Sequence, residues 1–150
     1  MNRDNWTKQE LETYYRDFEK NLGNYLDKLK RNLSIDEITF SIEEIEDVGK
    51  FYKKLVIKYG YENIPIKNPL EIFIAYFGQA WIKYFGGKWY FSYNKKDSSL
   101  GYPQIINWGP PEFPWSAIRP IVWYQYLIIE DFQDLSQPFK SKIRDFNLDK

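Results

Sequence analysis

The 150-residue chain carries 21 basic and 21 acidic residues, for a formal net charge of zero, and 20% of its residues are aromatic. With no basic surplus to neutralise phosphates, nucleic-acid binding is disfavoured. The absence of both Cys and His removes disulfides, thiolate nucleophiles, the usual zinc, copper and haem ligands, and the commonest general base near neutral pH. No cofactor, metal or catalytic residue is therefore expected. The polar start MNRDNWTKQELE has no apolar core of a secretory signal, and no apolar run approaches the roughly 20 residues of a membrane span. These features predict a cytoplasmic protein without a membrane partner. The length predicts a single domain over 1–150, with tails at 1–5 and 138–150 open to fraying; beyond Pro138 the alternatives are a short appended helix and a frayed end.

Thr7-Lys8-Gln9-Glu10 has the form of a capping box and opens the first helix. Leu11, Tyr15, Phe18, Leu22, Tyr25, Leu29 and Leu33 then recur every three or four residues. That spacing predicts one helix of about 25 residues with a single apolar stripe. The stripe suits packing on the chain's own core, and also a short coiled coil, so both monomer and homodimer are open. After an extended piece to Phe40, Ser41-Ile42-Glu43-Glu44 forms a second capping box. Ile45, Val48, Tyr52, Leu55 and Tyr59 make the next stripe, which Gly60 ends. Ile64-Pro65-Ile66-Lys67 reads as a linker.

The segment from Asn68 to Tyr93 holds the most information, because ten of the 21 residues from Phe73 to Tyr93 are aromatic. Asn68 caps and Pro69 starts a helix. Ile72/Phe73, Tyr76/Phe77, Ala80/Trp81 and Tyr84/Phe85 follow at helical spacing, and Gly86-Gly87 closes it. Gly78, costly inside a helix, implies close approach of another backbone. The period then changes to two, so Trp89, Phe91 and Tyr93 share one face of a strand. Asn94 to Gly101 reads as a hairpin loop and Tyr102 to Trp108 as the return strand, with Tyr102, Gln104, Ile106 and Trp108 on one face. Pro103 belongs at its start or edge. Gly109 to Pro114 is a rigid turn. Ile121 to Ile129 favours a buried helix of about 15 residues, with a strand as the alternative. The fold class is α+β, mainly helical with three to four helices, and with a small antiparallel hairpin or sheet packed on the central helix.

Without His, a Ser or Thr nucleophile would need Lys or a carboxylate as base, and no flanking motif provides one. Gly86-Gly87 follows a helix and precedes a strand, the reverse of a phosphate-binding loop. Glu71, Glu112, Glu130, Asp131 and Asp134 could in principle form a carboxylate pair, but none stands out. The clearest charged feature is the run from Asp36 to Asp47, with Asp36, Glu37, Glu43, Glu44, Glu46 and Asp47 and no basic residue. Two of these, Glu43 and Glu44, complement the dipole of a helix start. As a set they make an anionic patch able to steer a basic protein partner. The turn WGPPEFPW adds Trp108, Phe113 and Trp115 as candidate hot-spot anchors.

Ile38-Thr39-Phe40-Ser41, Ala75-Tyr76-Phe77-Gly78-Gln79, Gly86-Gly87-Lys88-Trp89 and Phe113-Pro114-Trp115-Ser116 occur in that order. The succession resembles a pattern of small uncharacterised bacterial proteins, some of which resemble immunity proteins of toxin systems. It spans roughly Ile38 to Ile129, and this chain has Gln79 where the pattern has Glu. The resemblance implies a non-enzymatic protein that neutralises a secreted toxin or effector by protein–protein contact. The alternatives are a scaffold or binding module with an aromatic pocket for a small molecule or carbohydrate, and an enzyme built on carboxylates.

Overall fold

A computed structural model describes residues 3–113, 116–129 and 134–148. Six α-helices and one two-stranded hairpin occur among them: α1 Lys8–Lys20, α2 Leu22–Leu33, α3 Ile42–Tyr59, α4 Pro69–Phe85, β1 Lys88–Tyr90, β2 Gln104–Ile106, α5 Pro120–Ile129 and α6 Gln137–Asp145. The expectation of three to four helices is thus too low, for two reasons. The predicted 25-residue helix is two helices, and the C-terminal segment takes the helical one of its two readings, as α6.

The break falls at Asn21. Its side-chain amide donates to the Asp17 carbonyl at 2.7 Å, beside its own N–H, which is shared between the Asp17 and Phe18 carbonyls. Side-chain competition of this kind ends a helix that the apolar stripe alone would continue. The stripe still points inward on both pieces, with Leu11, Tyr15 and Phe18 buried on α1 and Tyr25 and Leu29 on α2. It packs on the chain itself.

The Thr7–Glu10 capping box is present in full at the start of α1. At α3 only half of the expected box forms: Ser41 accepts from the Glu44 N–H, while the Glu44 carboxylate reaches further back. Gly60 ends α3 as expected. Asn68 does not cap α4 through its side chain. It sits in the left-handed region at φ 57°, which Asn tolerates better than most residues. Gly86 closes α4 at φ 76° and ψ −158°, so it uses the glycine freedom without adopting the left-handed helical conformation.

Helix α4 is buried around almost its whole circumference, from Ile72 through Gly78 and at Ala80, Trp81 and Phe85. It packs against α2, α5, α6 and β2. Gly78 does accommodate a close neighbour, but that neighbour is a ring rather than a backbone. A Cβ there would lie 2.1 Å from the Trp89 indole, whose Nε1–H donates to Gln79 Oε1 at 2.8 Å. The hairpin therefore folds back over α4 as expected.

The hairpin ladder is shorter than the alternation predicts: only Lys88–Tyr90 pairs with Gln104–Ile106, Trp89 opposite Ile105. Tyr15 of α1 takes over beyond it. Its hydroxyl donates to the Ser92 carbonyl at 2.6 Å and accepts from the Gly101 N–H at 2.9 Å, so it spans the gap between the diverging strands. Nor does β2 have one inward face, because Gln104 and Ile105 are both buried and Ile105 also bridges to Ile118.

Residues 120–129 form the expected helix rather than the alternative strand, although it has ten residues. Neither predicted tail is loose within the described residues. The Arg3 guanidinium lies over the rings of Trp6, Tyr14 and Tyr102 and donates to the Gly101 carbonyl. Phe139 of α6 is fully buried against Phe77 and Trp81. No helix among the described residues is long and apolar enough to cross a membrane.

Candidate partner-binding face

The six carboxylates of segment 36–47 divide into two kinds. Glu44 is turned into the protein, where it accepts from the Thr39 N–H at 2.8 Å, the Thr39 hydroxyl at 3.0 Å, the Phe40 N–H at 3.0 Å and the Tyr76 hydroxyl at 2.9 Å. Burial, and then the adjacent Glu44 charge, push the Tyr76 hydroxyl far above the ordinary tyrosine value, so it stays a donor. Glu46 pairs with Lys140 of α6 at 2.9 Å and accepts from the Ser136 hydroxyl at 3.1 Å. The Lys140 hydrogen bond holds its carboxyl below the usual range. These two groups fasten the segment to α4 and α6 and are not available to a partner.

Asp36, Glu37, Glu43 and Asp47 are exposed, and none has a hydrogen-bond or ion-pair partner among the described residues. They cover the entry to α3, where negative charge also complements the helix dipole. The loop before the helix is held rigidly. Phe40 occupies the left-handed region at φ 59°, an unfavourable conformation for a bulky residue. It is fixed from both sides. Glu44 accepts its N–H, and the Tyr84 hydroxyl donates to its carbonyl at 2.8 Å. Lys83 donates to the neighbouring Thr39 carbonyl at 2.8 Å. Strain of this kind persists only where the surroundings over-determine it.

The aromatic turn is placed differently from expectation. Trp108 is buried at 6% exposure, donates its Nε1–H to the Ser116 carbonyl at 2.7 Å and packs edge-on to Trp81. It is part of the core wall, not a surface anchor. Phe113 is 41% exposed and packs on Phe146, their ring centroids 4.9 Å apart. Trp115 lies outside the described residues, as do Glu130 and Asp131. Through these contacts the acidic segment and the turn attach to opposite ends of α6, Glu46 at Ser136 and Lys140 and Phe113 beyond Asp145. They form two patches rather than one site.

The remaining candidate carboxylates do not converge. Glu71 accepts from the Tyr14 hydroxyl at 2.6 Å, Asp134 pairs with Lys140 at 3.5 Å, and Glu112 is exposed on the turn. Among the described residues no group of three or more Asp or Glu is arranged to hold a metal. Sequence pattern does not reveal the roles of Tyr76, Lys83, Tyr84 and Lys140, which shape the acidic segment from 30 or more positions away, or that of Phe40 within it. The one local signal is Glu44 three residues after Ser41, a capping-box spacing that sets it apart from the exposed patch to which the sequence pattern also assigns it.

No protein-family model, curated protein or solved structure matches this chain.

Proposed function

We propose that this chain is a non-enzymatic cytoplasmic binding protein of the immunity type, which neutralises a basic toxin or effector by protein–protein contact at the entry to α3. The observation that carries the reading is the division of labour in segment 36–47. Glu44 and Glu46 fasten the backbone, while Asp36, Glu37, Glu43 and Asp47 face solvent with no partner among the described residues. A fixed cluster of like charges accelerates encounter with an oppositely charged surface, and a pre-ordered loop loses little entropy on binding.

The test compares the tagged protein with its D36N/E37Q/E43Q/D47N variant as baits in lysate of cells that carry the gene, at low and high salt. The wild type is expected to retain one basic protein in near-equal amount at low salt and to release it at high salt. The variant is expected to lose it in both. Equal retention by both baits overturns the assignment to this face.

A further inference from the structure

Away from the acidic segment, a pocket of about 600 Å³ lies between the start of α4, α5 and the short 3-10 turn Tyr61–Asn63. Its walls are mostly apolar, with Tyr61, Ile64, Leu70, Ile121 and Ile129 among them. Volume and lining both suit a small-molecule site. Tyr61 and Ile129 are 41% and 76% exposed, so they leave apolar surface for a ligand to cover.

Four polar side chains line the same space: Arg3, Glu62, Glu71 and Gln125. None is sealed off, since Glu62 is exposed and the other three are half-buried. Gln125 is the one amide in the apolar run 121–129, and it forms no hydrogen bond among the described residues. An apolar residue would serve packing there without the cost of desolvating an amide. Glu62 likewise has no partner among the described residues. Arg3 and Glu71 are held in place by one tyrosine. The Arg3 guanidinium lies 4.5 Å from the centre of the Tyr14 ring, and the Tyr14 hydroxyl donates to Glu71 Oε2 at 2.6 Å. Both keep capacity to spare: the guanidinium has five donors, of which the Gly101 carbonyl takes one, and the carboxylate has a second oxygen.

An apolar pocket lined by accessible charges of both signs is complementary to a ligand that carries both charges on an apolar body. We propose that this pocket binds a free α-amino acid with a large apolar side chain. Its ammonium faces Glu62 and Glu71, its carboxylate accepts from Arg3 and the Gln125 amide, and its side chain lies against Leu70, Ile121 and Ile129.

The experiment is a titration of the full chain with L-phenylalanine, followed in ¹H–¹⁵N spectra through the Gln125 side-chain amide, whose pair of peaks is the one missing from Gln125→Leu. The expected result is a saturable shift of that pair. Phenethylamine and 3-phenylpropionate keep the ring and each lack one charge, and both should bind about fivefold more weakly or worse. In the E62Q/E71Q variant the amide oxygen at position 71 can still accept from Tyr14. That variant should lose affinity for L-phenylalanine and phenethylamine and keep it for 3-phenylpropionate. Absence of a saturable shift overturns the proposal. So does either analogue binding as tightly as L-phenylalanine, a comparison made on the wild type, or an unchanged affinity for L-phenylalanine in the double variant.

Discussion

Helix α4 and the acidic segment that docks beside it are neighbours in space, yet the two are specified by different physics. Along α4, Phe73, Phe77, Ala80 and Trp81 are fully buried, so each position is constrained by the room its neighbours leave. In segment 36–47, adjacent carboxylates have opposite fates: Glu43 and Asp47 are exposed, while Glu44 and Glu46 are spent on named donors. There the constraint is a set of hydrogen-bond partners. A run of like residues across a loop and the first turns of a helix can thus combine fasteners with a charged surface that has no ion-pair partner among the described residues.

Glu44→Ala should give the largest effect, about 2–3 kcal/mol of destabilisation, because it leaves the buried Tyr76 hydroxyl unpaired and releases the strained Phe40 turn. Glu43→Ala, one residue away, should stay within about 0.5 kcal/mol. Urea unfolding of the pair checks this, and equal losses would erase the distinction between the two kinds of carboxylate. On the α4 side, Gly78→Ala should cost about 1–2 kcal/mol net, since overpacking against Trp89 outweighs the better helix propensity of Ala. A rise in the unfolding midpoint would mean that the indole moves aside and space does not constrain this position.

The Glu46–Lys140 pair gives a smaller effect with a defined pH window. Glu46 is depressed below its ordinary 4.5, chiefly by the Lys140 hydrogen bond, so its contribution is present above 4.5 and disappears as pH falls through its folded value. Lys140 is raised above its ordinary 10.5 by the Glu46 hydrogen bond, so its contribution is present below 10.5 and is lost as pH rises through its folded value. The stability gap between wild type and Glu46→Gln should therefore be widest between 4.5 and 10.5 and close on either side. Thermal melts across pH test this, and a gap unchanged at low pH would remove Glu46 from the fasteners. Smallest of all, the D36N/E37Q/E43Q/D47N variant should unfold within about 0.5 kcal/mol of the wild type, even as its partner binding fails. A large loss of stability would show those side chains to be structural.

Contacts that close within one helical turn were legible in the sequence. The Thr7–Glu10 box, the Ser41 cap, Pro69 at the start of α4 and the stops at Gly60 and Gly86 involve residues no more than about four positions apart, so local pattern determines them. The reversal from helical to alternating periodicity at Gly86-Gly87 likewise determined a hairpin lying back on α4. The break at Asn21 was local too, but the apolar stripe continues through it and conceals it.

What the tertiary structure alone decided are pairings across long separations. Tyr76 meets Glu44 across 32 positions, Tyr84 meets Phe40 across 44, Tyr15 enters the hairpin across 77 and Ser136 meets Glu46 across 90. Composition shows six carboxylates in a row of twelve residues, but only the packing of α4 and α6 against that row determines which carboxylates are used up. The same holds for the tryptophans. Residue type gives each an N–H to satisfy, and the fold alone decides that Trp108 finds a carbonyl while Trp81 finds no acceptor among the described residues.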